Sequence, residues 1–168
     1  YGWNSTESRI YIYNYNAANY APWPIVVSNS YSECSVTIAD LDGDGDLDIV
    51  FADESRLIHA FDISGQEIDG FPVTTGEAVR ATPFVCDLDH DGHTNLVVSS
   101  WDGNVYVWDL DGAYNADRVP WPTFQANAHR NGQIGFTIPT PTAIGGGGTD
   151  DPLPTRPMLV QNYPNPFN

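Results

Sequence analysis

The sequence predicts an all-β fold: β-propeller blades of four short antiparallel strands, making up part of a propeller, followed by an extended Pro/Gly-rich linker. Three observations predict it. Landmarks recur every 47 to 50 residues. Short runs rich in Val, Ile, Phe and Tyr alternate with Gly, Asn, Asp and Ser. No segment carries a convincing helical period.

The repeat comes first, because a fixed period decides architecture. An alternating strand pattern ending in Asn or Asp occurs as Ile10-Tyr-Ile-Tyr-Asn14, Ile58-His-Ala-Phe-Asp62 and Val105-Tyr-Val-Trp-Asp109. An aromatic–proline pair occurs as Trp23-Pro24, Phe71-Pro72 and Trp121-Pro122. An aspartate-rich loop opens at Asp40 and again at Asp87. The best-preserved unit contains four strand patterns, Ser35–Ala39, Asp48–Ala52, Leu57–Asp62 and Phe71–Thr75. Four strands in such a period is the size of one propeller blade. A lone blade cannot bury both faces, so it must stack on neighbours. Trp23, Phe71 and Trp121 recur with the repeat and read as wedges between blades.

Aligning Ile10 with Val105 sets Tyr1 opposite Leu96, so the chain opens in mid-unit. The expectation is the C-terminal part of a longer propeller, or blades completed by another chain. The chain begins at Tyr1 without a recognisable signal peptide, which fits a removed leader or a piece of something longer. Composition divides it into propeller repeats over 1–136, a linker over 137–158 and a distinct tail over 159–168. Seven of the thirteen prolines fall after Phe136, together with Gly145–Gly148. The glycine run reads as a spacer. A phosphate cradle is excluded because no helix pattern follows and the chain has no lysine.

Hydrophobic residues make up 41% of the chain, enough for a core, while the net charge is −16. That acidity argues against nucleic acid and against anionic membranes, both of which need basic patches. No apolar run approaches the roughly 20 residues of a membrane-spanning helix. Clustered aspartates point instead to bound cations. Cys34 and Cys86 lie in apolar, strand-like stretches and read as two buried thiols, with pairing left open.

The chemistry sits in the loops. The first is Asp40-Leu-Asp42-Gly-Asp44-Gly45-Asp46-Leu-Asp48, with carboxylates at positions 1, 3, 5 and 9 and glycine at 6. Alternate residues of a tight loop aim their oxygens at one point, which suits calcium, a hard ion taking six to eight oxygens. Gly45 permits the turn where a Cβ would clash. Asp46, at position 7, offers its backbone carbonyl. The second loop, Asp87-Leu-Asp89-His-Asp91-Gly92-His93-Thr-Asn95, repeats the spacing with Asn at 9 and His93 at 7. Asn keeps an oxygen and loses a charge, so this site is expected to be weaker. Neither loop has the position-12 glutamate of an EF-hand, and strands flank both. Five carboxylates within nine residues repel one another unless a cation intervenes. Two calcium ions are therefore expected, ahead of magnesium, which demands a tighter octahedron.

The stretches Thr37–Phe51 and Phe84–Ser99 resemble the FG-GAP or VCBS-type repeat of bacterial surface propellers and integrin α-chain propellers. The similarity extends over roughly residues 1–135. It implies a metal-binding role for Asp40, Asp42, Asp44 and Asp48, and for Asp87, Asp89, Asp91 and Asn95. Trp121 to Gly132 resembles the closing segment of such propellers. Separately, Leu159-Val-Gln-Asn-Tyr-Pro-Asn-Pro-Phe-Asn168 resembles the opening of the C-terminal sorting domain of type IX secretion. That resemblance implies export by the type IX machinery to the cell surface or medium, where calcium is plentiful.

Catalytic readings fare worse. His90 and His93 could seat a transition metal, but the oxygen-rich spacing selects a hard ion. His59 and His129 have no nucleophile pattern beside them. Carboxylate pairs serve glycosidases, yet here they repeat unit by unit at ligand spacing. Tyr11, Tyr13, Tyr15, Trp101 and Trp108 could form a carbohydrate platform, although blade packing is the plainer reading. No enzyme activity is expected within this chain. The expected role is a calcium-stabilised binding, adhesion or spacer module with a protein or polysaccharide ligand. The alternatives are an accessory C-terminal module of a secreted peptidase or glycoside hydrolase, and a structural subunit that self-associates through open blade edges.

Overall fold

A computed structural model describes residues 7–127 and 130–134. The expected linker over 137–158, the tail over 159–168, His129 and part of the closing segment lie outside the described residues.

Nine strands form three antiparallel sheets. The first pairs β1 (Glu7–Ile10) with β2 (Ile25–Ser28). The second is a four-stranded meander in sequence order, β3 (Thr37–Ala39), β4 (Asp48–Ala52), β5 (Leu57–Phe61) and β6 (Val73–Thr74). The third has β7 (Phe84–Cys86), β8 (His93–Ser99) and β9 (Val105–Ala113). The described residues include no α-helix, only a single 3-10 turn at Ala116–Arg118. None of their helices is long and apolar enough to cross a membrane. The all-β, antiparallel expectation holds, and the central unit has its four strands.

Strand β4 explains why the sheets stack. All five of its residues are buried, so both of its faces meet neighbours. Ile49 and Phe51 turn to one side, where they cluster with Phe61 and Trp23 and take Ile10, Ile12, Ile25 and Val27 from the first sheet's part of the chain. Val50 and Ala52 turn to the other side, into a cluster with Ile58, Ala60, Val85, Leu96 and Val98. Burial of this kind contributes about 25 cal/mol per Å² of apolar surface. Trp23 behaves as the expected wedge. It is buried, its ring meets Phe61 edge-on at 6.5 Å, and its Nε1–H donates to the carbonyl of Ile63 at 3.0 Å.

The third unit departs from the expected pattern. By the repeat, its fourth strand falls around Trp121, beside β9. Instead Trp121 bridges Ile38 of β3, with N–H···O distances of 3.0 and 3.1 Å, and Pro122 accepts the N–H of Val85 at 3.0 Å. The segment thus runs between the first strands of two sheets. The departure begins at an irregularity in β8. Asn95 pairs with Asp109 and His93 with Ala113, so β9 advances four residues against two. The extra length carries the end of β9 toward the first aspartate loop. The two thiols are free and half-buried, where the sequence suggested buried thiols.

Candidate metal centre

Each aspartate loop joins the first two strands of its sheet, β3 to β4 and β7 to β8. The turn is forced in the same places in both. Positions 4 and 6 take left-handed backbone, Gly43 (φ 77°) and Gly45 (φ 96°) in one loop, His90 (φ 63°) and Gly92 (φ 90°) in the other. Glycine does this without a Cβ penalty, whereas His90 does not.

Side-chain oxygens then knit the loop from within. Asp40 Oδ1 accepts the N–H of Gly43 at 2.9 Å and its Oδ2 that of Gly45 at 3.1 Å. Asp42 accepts from Asp44 at 3.1 Å, and Asp44 from Asp46 at 2.8 Å. Position 9 reaches back to position 2, with Asp48 Oδ2 accepting the N–H of Leu41 at 2.8 Å. The second loop repeats three of these five bonds. Gly92 donates to Asp87 Oδ2 at 3.3 Å, His93 to Asp91 at 2.8 Å, and Leu88 to Asn95 Oδ1 at 2.6 Å.

Oxygens of Asp40, Asp42 and Asp48 lie within 4.8 Å of one another, as do those of Asp87, Asp89 and Asp91. Two oxygens sharing one ion at about 2.4 Å cannot stand farther apart than about 4.8 Å, so each triad fits a single calcium. Two further observations fit a cation at these loops. Asp87 Oδ1 is buried without a hydrogen-bond partner. Burial, together with the charges of Asp42, Asp44 and Asp40, pushes the Asp48 carboxyl up to about 7 despite the opposing Leu41 N–H. A carboxylate this poorly solvated is the group that gains most from a bound cation.

The expected ligands distribute unevenly. Asp44 and Asp46 stand at exposed turns outside the first triad, with Asp44 occupied by the Asp46 N–H. His93 opens β8, exposed, and joins the loop through its backbone. Asn95 is buried, its single side-chain oxygen shared with Leu88 and its amide nitrogen 3.3 Å from Asp109. Asp48, by contrast, has a second oxygen to give.

The surroundings of the first loop were not foreseen. Asp40 donates its N–H to the carbonyl of Arg118 at 2.9 Å. Gly43, Asp44 and Gly45 share an open cleft with Ala113, Tyr114 and Asn115. Nothing local signals this, since the partners are distant in sequence. A second cluster also escaped notice. His59, buried, holds Glu67 at 2.7 Å through Nδ1 and faces the fully buried Asp53 at 3.8 Å through Nε2. Burial pushes His59 down, but the two carboxylates outweigh it and hold its pKa above the ordinary value. Burial pushes Asp53 up, yet His59, the Leu57 N–H and Ser30 bring it below the ordinary value. The only sequence signal was a histidine on a strand.

Among known families, the model of the FG-GAP-like repeat matches residues 1–51, the stretch holding β1 to β3, the first loop and most of β4. No curated protein and no solved structure matches the chain.

Proposed function

We propose that this chain is a calcium-stabilised, propeller-type binding, adhesion or spacer module of a secreted or cell-surface protein. The observation that supports it most is the repetition of one ligand spacing, with three carboxylates converging at the junction of a sheet's first two strands in each copy, at positions 1, 3 and 9 in the first loop and 1, 3 and 5 in the second. FG-GAP-like repeats, which residues 1–51 resemble, are non-catalytic and typically extracellular.

A calcium ion in each loop would neutralise the aspartates and tie two strands together. Asp40, Asp42 and Asp48 hold the first ion, with Asp44 and the Asp46 carbonyl within reach of the same loop. Asp87, Asp89 and Asp91 hold the second. The backbone N–H bonds to these carboxylates preshape the loop, so binding orders little that is not ordered already. The tail resembling a sorting domain agrees with export by type IX secretion.

Isothermal titration of the chelator-treated chain with calcium tests the reading. Two sites are expected, with the melting temperature rising as they fill, because a ligand of the folded state stabilises it. Asp42→Ala should abolish the tighter site while Asp46→Ala leaves it. No heat of binding, or equal losses in the two variants, would refute the assignment.

A further inference from the structure

The chain returns from the third sheet to the second through residues 111–122, and this strap is fastened at both ends. At the third sheet, Tyr114 donates its N–H to the carbonyl of Gly92 at 2.9 Å. At the second, the Arg118 carbonyl accepts the N–H of Asp40 at 2.9 Å, and Trp121 and Ile38 exchange bonds of 3.0 and 3.1 Å. The 3-10 turn at Ala116–Arg118 carries the chain across, with Asn115 Oδ1 accepting the N–H of Asp117 at 3.0 Å. Val119 of the strap and Leu41 of the first loop are both buried in the cluster with Val85 and Leu96.

The strap lands on the backbone of the residues whose side chains form the first carboxylate triad. Asp40 gives its carboxylate oxygens to the N–H groups of Gly43 and Gly45, and its own N–H to the strap. Asp48 holds the Leu41 N–H, and a Cβ on Gly112 would collide with the Leu41 carbonyl oxygen and stand 2.8 Å from Asp42 Cα. How Asp40, Asp42 and Asp48 are held thus fixes the seat of the strap. The second loop carries no comparable seat. It meets the strap at Gly92, within its own sheet, and Leu88 is 54% exposed where Leu41 is fully buried. Charge opposes docking, since the first loop holds five aspartates and Asp111 and Asp117 flank the contacts, with Arg118 as the strap's one cation. Like charges brought together cost free energy until something neutralises them.

We propose that residues 111–122 form a cation-controlled strap. With the triad of Asp40, Asp42 and Asp48 loaded, the strap closes on the first loop and joins the third sheet to the second; with the triad unloaded, it opens. This rests on the calcium reading and deepens it, since the first site then ties two sheets together while the second ties two strands of one sheet. A divalent ion offsets two of the loop's charges where the strap lands, and it fixes the Leu41 and Asp42 backbone on which Gly112 packs. Linkage makes the effect reciprocal: the docked strap strengthens the ion's binding by the same factor by which the ion favours docking. Opening is local, confined to the first loop, its contact with β3 and the strap, while β4 and β5 keep their pairing.

Residue-resolved amide hydrogen exchange of the full chain, in saturating calcium and in chelator, tests it. The amides of Ile38, Asp40 and Trp121, whose partners lie across the strap contact, should exchange at least tenfold faster in chelator, while those pairing β4 with β5 change less than threefold. In saturating calcium, Asp42→Ala should speed the same three amides as chelator does, whereas Asp89→Ala, which strips the second loop, should leave them slow. Both side chains are exposed, so neither substitution disturbs the core. Calorimetry on the same samples separates the two readings. Calcium that binds the first loop without slowing the three amides, or exchange that rises equally across β4 and β5, would overturn the strap and leave the calcium reading standing. Fast exchange in Asp89→Ala would do the same. A chain that takes up no calcium would refute the calcium reading and the strap with it.

Discussion

Gly112 rests directly on the main chain of Leu41: a Cβ built on it would stand 2.2 Å from the Leu41 carbonyl oxygen. From the other side, a Cβ on Gly43 would meet the Ala113 nitrogen at 2.8 Å. The end of β9 and the first aspartate loop thus press backbone to backbone. Both contacts involve main-chain atoms, which cannot swing aside.

Gly112→Ala should therefore cost about 1–3 kcal/mol of stability, the usual range for overpacking a tight contact. Denaturant unfolding measures it. The substitution should also weaken the calcium binding proposed for the first loop and spare that proposed for the second, where Leu88 is exposed.

Position 9 should set the relative strength of the two proposed calcium sites. Asn95→Asp supplies the second oxygen that Asp48 already has, and should tighten the weaker site by on the order of tenfold, about 1.4 kcal/mol. Asp48→Asn should loosen the first site by a similar factor. Calorimetric titration reads both.

The His59 cluster predicts a pH dependence. His59 is raised, so its contribution is complete below the unfolded imidazole value of about 6.5 and lost as pH climbs through the folded value. Asp53 is lowered, so its contribution is present above the unfolded carboxyl value of about 3.9 and lost as pH falls through its folded value. The gap in melting temperature between the native chain and His59→Gln should be widest between those two values and shrink toward alkaline pH. A gap that does not change with pH would place the role of His59 in packing alone.

Trp23→Ala should cost about 3–5 kcal/mol, since it empties the space between the first two sheets and leaves the Ile63 carbonyl without its donor. Thermal unfolding of that variant, with calcium saturating, is the measurement.

Much of this architecture is legible one residue at a time. Strand β4 is marked by Ile49, Val50 and Phe51 in sequence, and β5 by the run from Leu57 to Phe61. The loops declare themselves through alternating aspartates and the glycine at position 6, because ligand geometry in a short loop is a local property. The third unit shows the limit. Trp121 repeats the sequence landmark of Phe71, yet it pairs with Ile38 rather than with β9, since the choice between two available strand edges depends on what lies beside each.

Period, strand identity and the ligand spacing of both loops follow from residues that are neighbours in the chain, and neighbours are constrained by covalent geometry alone. The packing of Gly112 on Leu41 joins segments that only the stacking of the sheets brings together, and the burial that drives the Asp48 carboxyl up to about 7 and encloses His59 with Asp53 and Glu67 depends on the same assembled interior. Desolvation and close contact are properties of that assembled interior, which no linear pattern encodes.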